Sequence, residues 1–184
     1  MATLTSLARI DLSRIDFEAL AKRFESSTHK NTDLEALKAI YEPEVLHGTA
    51  TFELDPPDQA ELGRRLAKVQ AAGLPWLVAE LDGRVQGFAY AGPYRERPAY
   101  RFTVEDSIYL APGLRGRGVG RHLLEAVLEL SRAAGMRQMV AVIGDSANLA
   151  SVGLHRACGF AHVGTLVDVG YKNGQWLDTV QNEV

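Results

Sequence analysis

The segment LRGRGVGRHLLEAV, Leu114 to Val127, constrains the chain more than any other. Glycines and arginines alternate and run directly into an apolar-periodic helix. Glycine at this density costs chain entropy and gives a core nothing to pack, so the loop has to serve through its bare backbone. A helix N-terminus carries unpaired N–H groups and partial positive charge. Glycines let an anion approach those groups, and Arg115, Arg117 and Arg121 add formal charge. The segment predicts an anion-binding turn between a strand and a helix.

The kind of anion narrows by exclusion. No Lys-Ser/Thr pair follows the glycines, so the loop is not a nucleoside-triphosphate P-loop. Gly116, Gly118 and Gly120 fail the G-x-G-x-x-G spacing of a dinucleotide site. The loop also comes after an antiparallel hairpin, where the first turn of a Rossmann unit would not lie.

The flanking patterns set the fold class. TDLEALKAIYEPEV predicts a helix capped by Thr32 or Asp33, and DQAELGRRLAKVQAAG a second helix stopped by Gly73. PWLVAELDGRVQGFAYAG is two apolar strands joined by Asp82-Gly83, a tight hairpin turn. FTVEDSIYLA is a further strand. Arg117 to Ala134 is a helix whose apolar stripe is Val119, Leu123, Leu124, Val127 and Leu128. MRQMVAVIG predicts a strand buried on both faces, and SANLASVGLHRACGF a short helix. The chain closes on a hairpin turning at Asn173-Gly174. The order implies an α/β fold with a mixed, mostly antiparallel sheet and helices on both faces.

Length and charge bound the rest. The 184 residues fit one domain, and a net charge of −3 argues against a general nucleic-acid binder. Cys158 is the single cysteine, so no internal disulfide forms and a reducing cytoplasm is expected. No apolar run approaches a membrane span, and the N-terminus lacks a signal-peptide pattern. Residues 1–21 read as an N-terminal extension, with Leu12, Ile15, Leu20 and Phe24 at roughly helical spacing. The main domain is expected over 22–184.

Arg115-x-x-Gly118-x-Gly120, after a strand and opening a helix, resembles the R/Q-x-x-G-x-G/A loop of the GCN5-related N-acetyltransferases, the GNAT superfamily. NLASVGLHRACGF resembles the Asn, Ser, aromatic/His and Gly-Phe segment of the same families. With GTATFE, the stretch WLVAELDGRVQGFAYAGPYRERPAYRFTVEDSIYL and VGYKNGQWLD, the chain from about Leu34 to Val184 is similar to the phosphinothricin-type acetyltransferases. That resemblance implies a GNAT fold, acetyl-CoA as cosubstrate, no metal and a homodimer. It implies acetyl transfer to the α-amine of a small amino acid or toxic analogue such as phosphinothricin or methionine sulfoximine.

The same resemblance implies a set of site residues. The loop Arg115, Gly116, Arg117, Gly118, Val119, Gly120 and Arg121 would hold the pyrophosphate of acetyl-CoA. Backbone groups at Ile108 and Leu110 would meet its thioester and pantetheine, freed by a β-bulge in that strand. Asn148 and Ser151 would contact the cofactor arm, although Asn148 also suits a helix N-cap. Phe52, Arg97 and Tyr100 would line the substrate site, and an arginine suits a substrate carboxylate. Arg95 and Arg101, in the same loop, stay open.

Acetyl transfer to an ammonium needs a proton acceptor, donors for the oxyanion and a proton for the leaving thiolate. Period-2 alternation puts Glu105 on one strand face with Thr103, Ser107 and Tyr109. Glu105 is expected to remove the proton jointly with His155, which of the two takes it directly being open. Tyr109 either helps protonate sulfur or is a plain strand aromatic. Cys158 is expected to pack as a small hydrophobe. An enzyme for another amine, or a non-catalytic acetyl-CoA-binding module, are the other readings of the same residues.

Overall fold

The computed structural model describes residues 8–11, 31–81, 83–114 and 116–184. Seven strands form one sheet in the order β1-β2-β3-β4-β5-β7-β6. In chain order these are β1 (Ala8–Asp11), β2 (Trp76–Leu81), β3 (Arg84–Pro93), β4 (Thr103–Leu110), β5 (Gln138–Gly144), β6 (Ala161–Lys172) and β7 (Gln175–Glu183). The helices are α1 (Asn31–Leu46), α2 (Gln59–Ala71), α3 (Val119–Ala133) and α4 (Leu149–Ala157). Pairing is antiparallel except for β1 with β2 and β4 with β5.

Two helical expectations shift. Helix α1 begins at Asn31, so Asp33 sits inside the first turn and is buried, not at the cap. Residues 8–11 of the expected extension form a strand that pairs with β2. The helical spacing from Leu12 to Phe24 lies outside the described residues. Asp82 of the first hairpin turn does too, while Gly83 has the positive φ that turn needs.

Cross-strand register assigns each side chain to a face. Phe88, opposite Tyr109, and Tyr90, opposite Ser107, share one face with Glu105. Tyr41 of α1 meets the rings of Phe88 and Tyr109 edge-on, so α1 covers this face. The other face carries Asp106, Ile108 and Leu110 under α3 and α4. A Cβ at Gly120 would touch Leu154 at 3.3 Å and Leu110 at 3.4 Å. Glycine there lets α3 sit close against both β4 and α4. The α3 stripe is fully buried from Val119 through Leu128, as its spacing predicts.

Strand β5 is not buried on both faces. Met139, Ala141 and Ile143 are buried, whereas Val140 and Val142 are half-exposed. The reason lies in the ladder. Strands β4 and β5 pair only from Thr103–Gln138 to Glu105–Val140 and then part. A wedge opens in the middle of the sheet, and Val142 lines it.

Candidate active site

The wedge exposes backbone that a closed sheet would consume. Thr103 accepts from Tyr94, and Ala111 donates to Gln86, so odd-numbered peptides of β4 face β3. The carbonyl of Phe102 accepts from Gln138, so even-numbered peptides face β5. The C=O of Asp106 and the N–H and C=O groups of Ile108 and Leu110 therefore point into the opening, the Asp106 N–H being used by the last bridge to Val140. The expected bulge in β4 is absent: β3 and β4 keep continuous register from Gly87–Leu110 to Pro93–Val104. Divergence of two parallel strands, not a bulge, frees these groups.

At the mouth of the wedge stands the glycine turn. Gly118 caps α3 with φ +82°, a conformation that L side chains rarely adopt. A cavity of about 620 Å³ runs from this turn to α1. Gly116, Gly118, Gly120 and Arg121 line it, with Ile108, Leu110, Asn148 and Ser151. Arg115 lies outside the described residues, and Arg117 and Val119 do not line the cavity. Asn148 is an N-cap, its Oδ1 accepting from the Ser151 N–H at 3.2 Å.

Phe52 lies at the other end of the same cavity, 36% exposed. Its ring occupies a slot over Gly144 and Gly170, where a Cβ on either glycine would collide with it or its loop. The loop is held from below by Lys172, whose Nζ donates to the carbonyls of Thr51 at 2.7 Å and Glu44 at 3.1 Å. Thr49 donates to Asp145 at 2.8 Å and ties the loop to the end of β5. Nothing in the spacing of Lys172 marks it as an anchor. Only the fold places it beneath Thr51.

A second cavity of about 590 Å³ lies along β5 and β7 and is lined by Tyr94, Arg95, Val163 and Leu166 among others. Glu105, Val142 and Thr179 line both cavities. Glu105 is thus the ionisable group where the two meet. Burial pushes its carboxyl up to about 7; the neighbouring Asp106 charge raises it further and Arg95 opposes the rise. Arg97 and Tyr100 are exposed in the 94–102 loop and line neither cavity, whereas Arg95 lines the second one.

His155 does not share a face with Glu105. Its Nε2 lies 2.9 Å from Asp106 Oδ2, behind β4, and its Nδ1 2.7 Å from the Ser151 carbonyl oxygen. The two expected partners are separated by the strand itself. Asp106, which the alternation sets opposite Glu105, is the histidine's real partner. Tyr109 packs between Phe88 and Tyr41 on the Glu105 face, and burial holds its hydroxyl well above the usual range. Burial also pushes the Cys158 thiol up to about 11, so at neutral pH it is not a thiolate.

Residues 34–160 match the model of the acetyltransferase (GNAT) family. The chain is a GNAT-family acetyltransferase. This GNAT protein is 54% identical over 151 residues to phosphinothricin N-acetyltransferase of Alcaligenes faecalis, covering 82% of its own length and 77% of the relative's. It is 42% identical over 147 residues to the L-methionine sulfoximine/L-methionine sulfone acetyltransferase of Pseudomonas aeruginosa PAO1, covering 79% and 85%. Among solved structures, the GNAT phosphinothricin acetyltransferase of Sinorhizobium meliloti in complex with AcCoA superposes with a TM-score of 0.81. It shares 44% identity, over 85% of this chain and 84% of that one. The matches bear out the fold class and the family expected from the glycine loop and the α4 segment.

Proposed function

We propose that the protein transfers acetyl from acetyl-CoA to the α-amine of a small amino acid or toxic analogue of the phosphinothricin or methionine sulfoximine type. The observation that carries this reading is Glu105, raised to about 7 and shared by two cavities, one lined by the glycine turn and the other by an arginine. A carboxylate with a pKa near neutrality is suited to take a proton from an ammonium.

Acetyl-CoA would enter the wedge. The N-terminus of α3, with Gly116, Gly118 and Arg121, and with Arg115 and Arg117 as the resemblance implies, would hold its pyrophosphate. The inward-facing peptides of Ile108 and Leu110 would meet the pantetheine and the thioester oxygen. The amino acid would lie against Glu105, with Phe52 at one side. Its carboxylate would be bound by arginine of the 94–102 loop: Arg95 lines the cavity, and Arg97 and Tyr100, named by the resemblance, stand at the rim. A polyamine would meet positive charge there.

Transfer would be direct, within a ternary complex. A covalent route through Cys158 is opposed by its raised pKa. We assign residues 22–184 to the acetyltransferase domain and add Ala8–Asp11 on its pairing with β2. We also propose a homodimer. β6 is the last strand of the sheet and exposes Val163, Leu166, Val167, Val169 and Tyr171, with Trp176 on β7.

The test is thiol release from acetyl-CoA over L-amino acids, methionine sulfone, methionine sulfoximine, phosphinothricin and spermidine. Turnover is expected with the carboxylate-bearing analogues. Turnover with spermidine alone, or with no amine at all, overturns the reading.

A further inference from the structure

Two glycines lie under one aromatic ring at the α1 end of the 620 Å³ cavity. Gly144 ends β5, Gly170 lies near the end of β6, and the Phe52 ring rests against both. Neither glycine has a positive φ, so the backbone at both would accept an L side chain. Space is what excludes one. The nearest atoms to a Cβ on Gly170 all belong to the ring, with Cδ2 at 2.5 Å and Cζ at 2.8 Å. On Gly144 the nearest atom is main chain, the Thr49 carbonyl oxygen at 2.5 Å. The two positions therefore differ in what has to yield: a side chain at Gly170, the loop itself at Gly144.

The seat under the ring is tied at several points. The Asp178 carboxylate of β7 accepts from the Ser146 hydroxyl at 2.6 Å and from the Asp168 N–H at 3.0 Å. Its carbonyl accepts from the Asp145 N–H at 2.9 Å. These bonds join the end of β5 to the irregular stretch of β6 between Leu166 and Gly170. The main chain above the seat is held as well. Lys172 donates to the Thr51 carbonyl, which belongs to the peptide bonded to Phe52. On the other side, the Glu53 carboxylate accepts from Arg65 at 2.6 Å and from the Tyr41 hydroxyl at 2.9 Å. With loop and strands both fixed, the torsion of the Phe52 side chain is what can give. Its open side faces the cavity.

We propose that Gly170 is a positioning residue for substrate specificity: by letting the Phe52 ring lie against β6, it sets the length of amino-acid side chain that the site accepts. The inference rests on the acetyl-transfer reading. In that reading acetyl-CoA fills the wedge, the amine meets Glu105 and the carboxylate goes to Arg95 in the second cavity. The space left for the substrate's side chain is the Phe52 end. Gly170 lines neither cavity and acts through the ring. A methyl group at this position would turn the ring into the space and shorten it, touching neither the glycine turn nor Glu105.

Full-length wild type and Gly170→Ala are compared on methionine sulfone and S-methylcysteine sulfone, which differ by one methylene. Gly170→Ala is expected to lower kcat/KM for methionine sulfone about tenfold relative to the shorter sulfone, with KM for acetyl-CoA unchanged. In a Phe52→Ala background the same substitution should leave the ratio where Phe52→Ala alone puts it. A crystal structure of Gly170→Ala should show the ring turned off β6, with the Thr51 carbonyl still on Lys172. An unchanged ratio, an equal shift without Phe52, or an unmoved ring overturns the proposal. Should Gly170→Ala not fold, the double variant must fold, because the colliding ring is gone, and Phe52→Ala must shift the ratio toward methionine sulfone. Failure of either overturns the proposal. A wild type that acetylates neither sulfone overturns the α-amine reading and this inference with it. A wild type active on both, with the ratio unmoved in Gly170→Ala, overturns this inference alone.

Discussion

Glu105 and Asp106 are adjacent in sequence and sit on opposite faces of β4, and their carboxyl groups meet different surroundings. Glu105 stands between two cavities, and burial raises it toward neutrality against the opposing charge of Arg95. Asp106 is sealed under α4 and bound to an imidazole. Period-2 alternation is the device that separates them. One strand, paired on one edge and open on the other, presents a carboxyl raised toward neutrality to one side and a buried carboxyl–imidazole pair to the other. Free peptide groups lie between.

The largest effect should come from breaking the Glu105 side. Glu105→Gln is expected to lower kcat by about 100- to 1,000-fold and leave acetyl-CoA affinity unchanged, as steady-state kinetics and calorimetric titration would show. Equal losses of affinity and rate would merge the two faces into one function. Arg95→Ala is expected to raise KM for a carboxylate-bearing substrate about tenfold or more with little change in kcat. An unchanged KM would return the carboxylate to Arg97 and Tyr100. Gly118→Ala places a side chain at φ +82° and is expected to cost about 1 kcal/mol of stability and weaken acetyl-CoA binding by roughly tenfold. Thermal melts and cofactor titration check this.

The pH dependence is smaller and separates the faces again. The Glu105 carboxyl is held at about 7 against an ordinary 4.5. Its contribution to stability is fully present below 4.5 and is lost as pH rises through 7, because the unfolded chain gives up that proton first. kcat/KM should rise with pH through about 7 as the base forms, and Glu105→Gln should abolish that limb. The same variant should melt about 2–4 °C above wild type at pH 8, since the buried charge is gone. A lower melting temperature would mean that the carboxylate is held by contacts beyond those described.

The glycine loop, the two hairpin turns and the α3 stripe were legible because each depends on local chemistry: φ at Gly118 and Gly174, and helical period in α3. The wedge was not legible. Its existence depends on where the β4–β5 ladder stops, and no residue between Thr103 and Leu110 signals that end. The reading of β5 as buried on both faces failed for the same reason, since Val140 and Val142 are apolar yet border open space. Lys172 looks like a solvated turn residue in sequence and is 2% exposed in the fold, where two carbonyls replace its water.

By itself the sequence determined the glycine turn that opens α3, the alternation that sets Glu105 apart from Asp106, and the membership of the GNAT family. Tertiary structure alone decided that His155 belongs to Asp106, that Arg95 reaches the cavity while Arg97 does not, and that the free peptides of β4 arise from strand divergence. Local conformational preference is written residue by residue. Which groups meet across 49 positions of chain is settled only by how strands and helices pack.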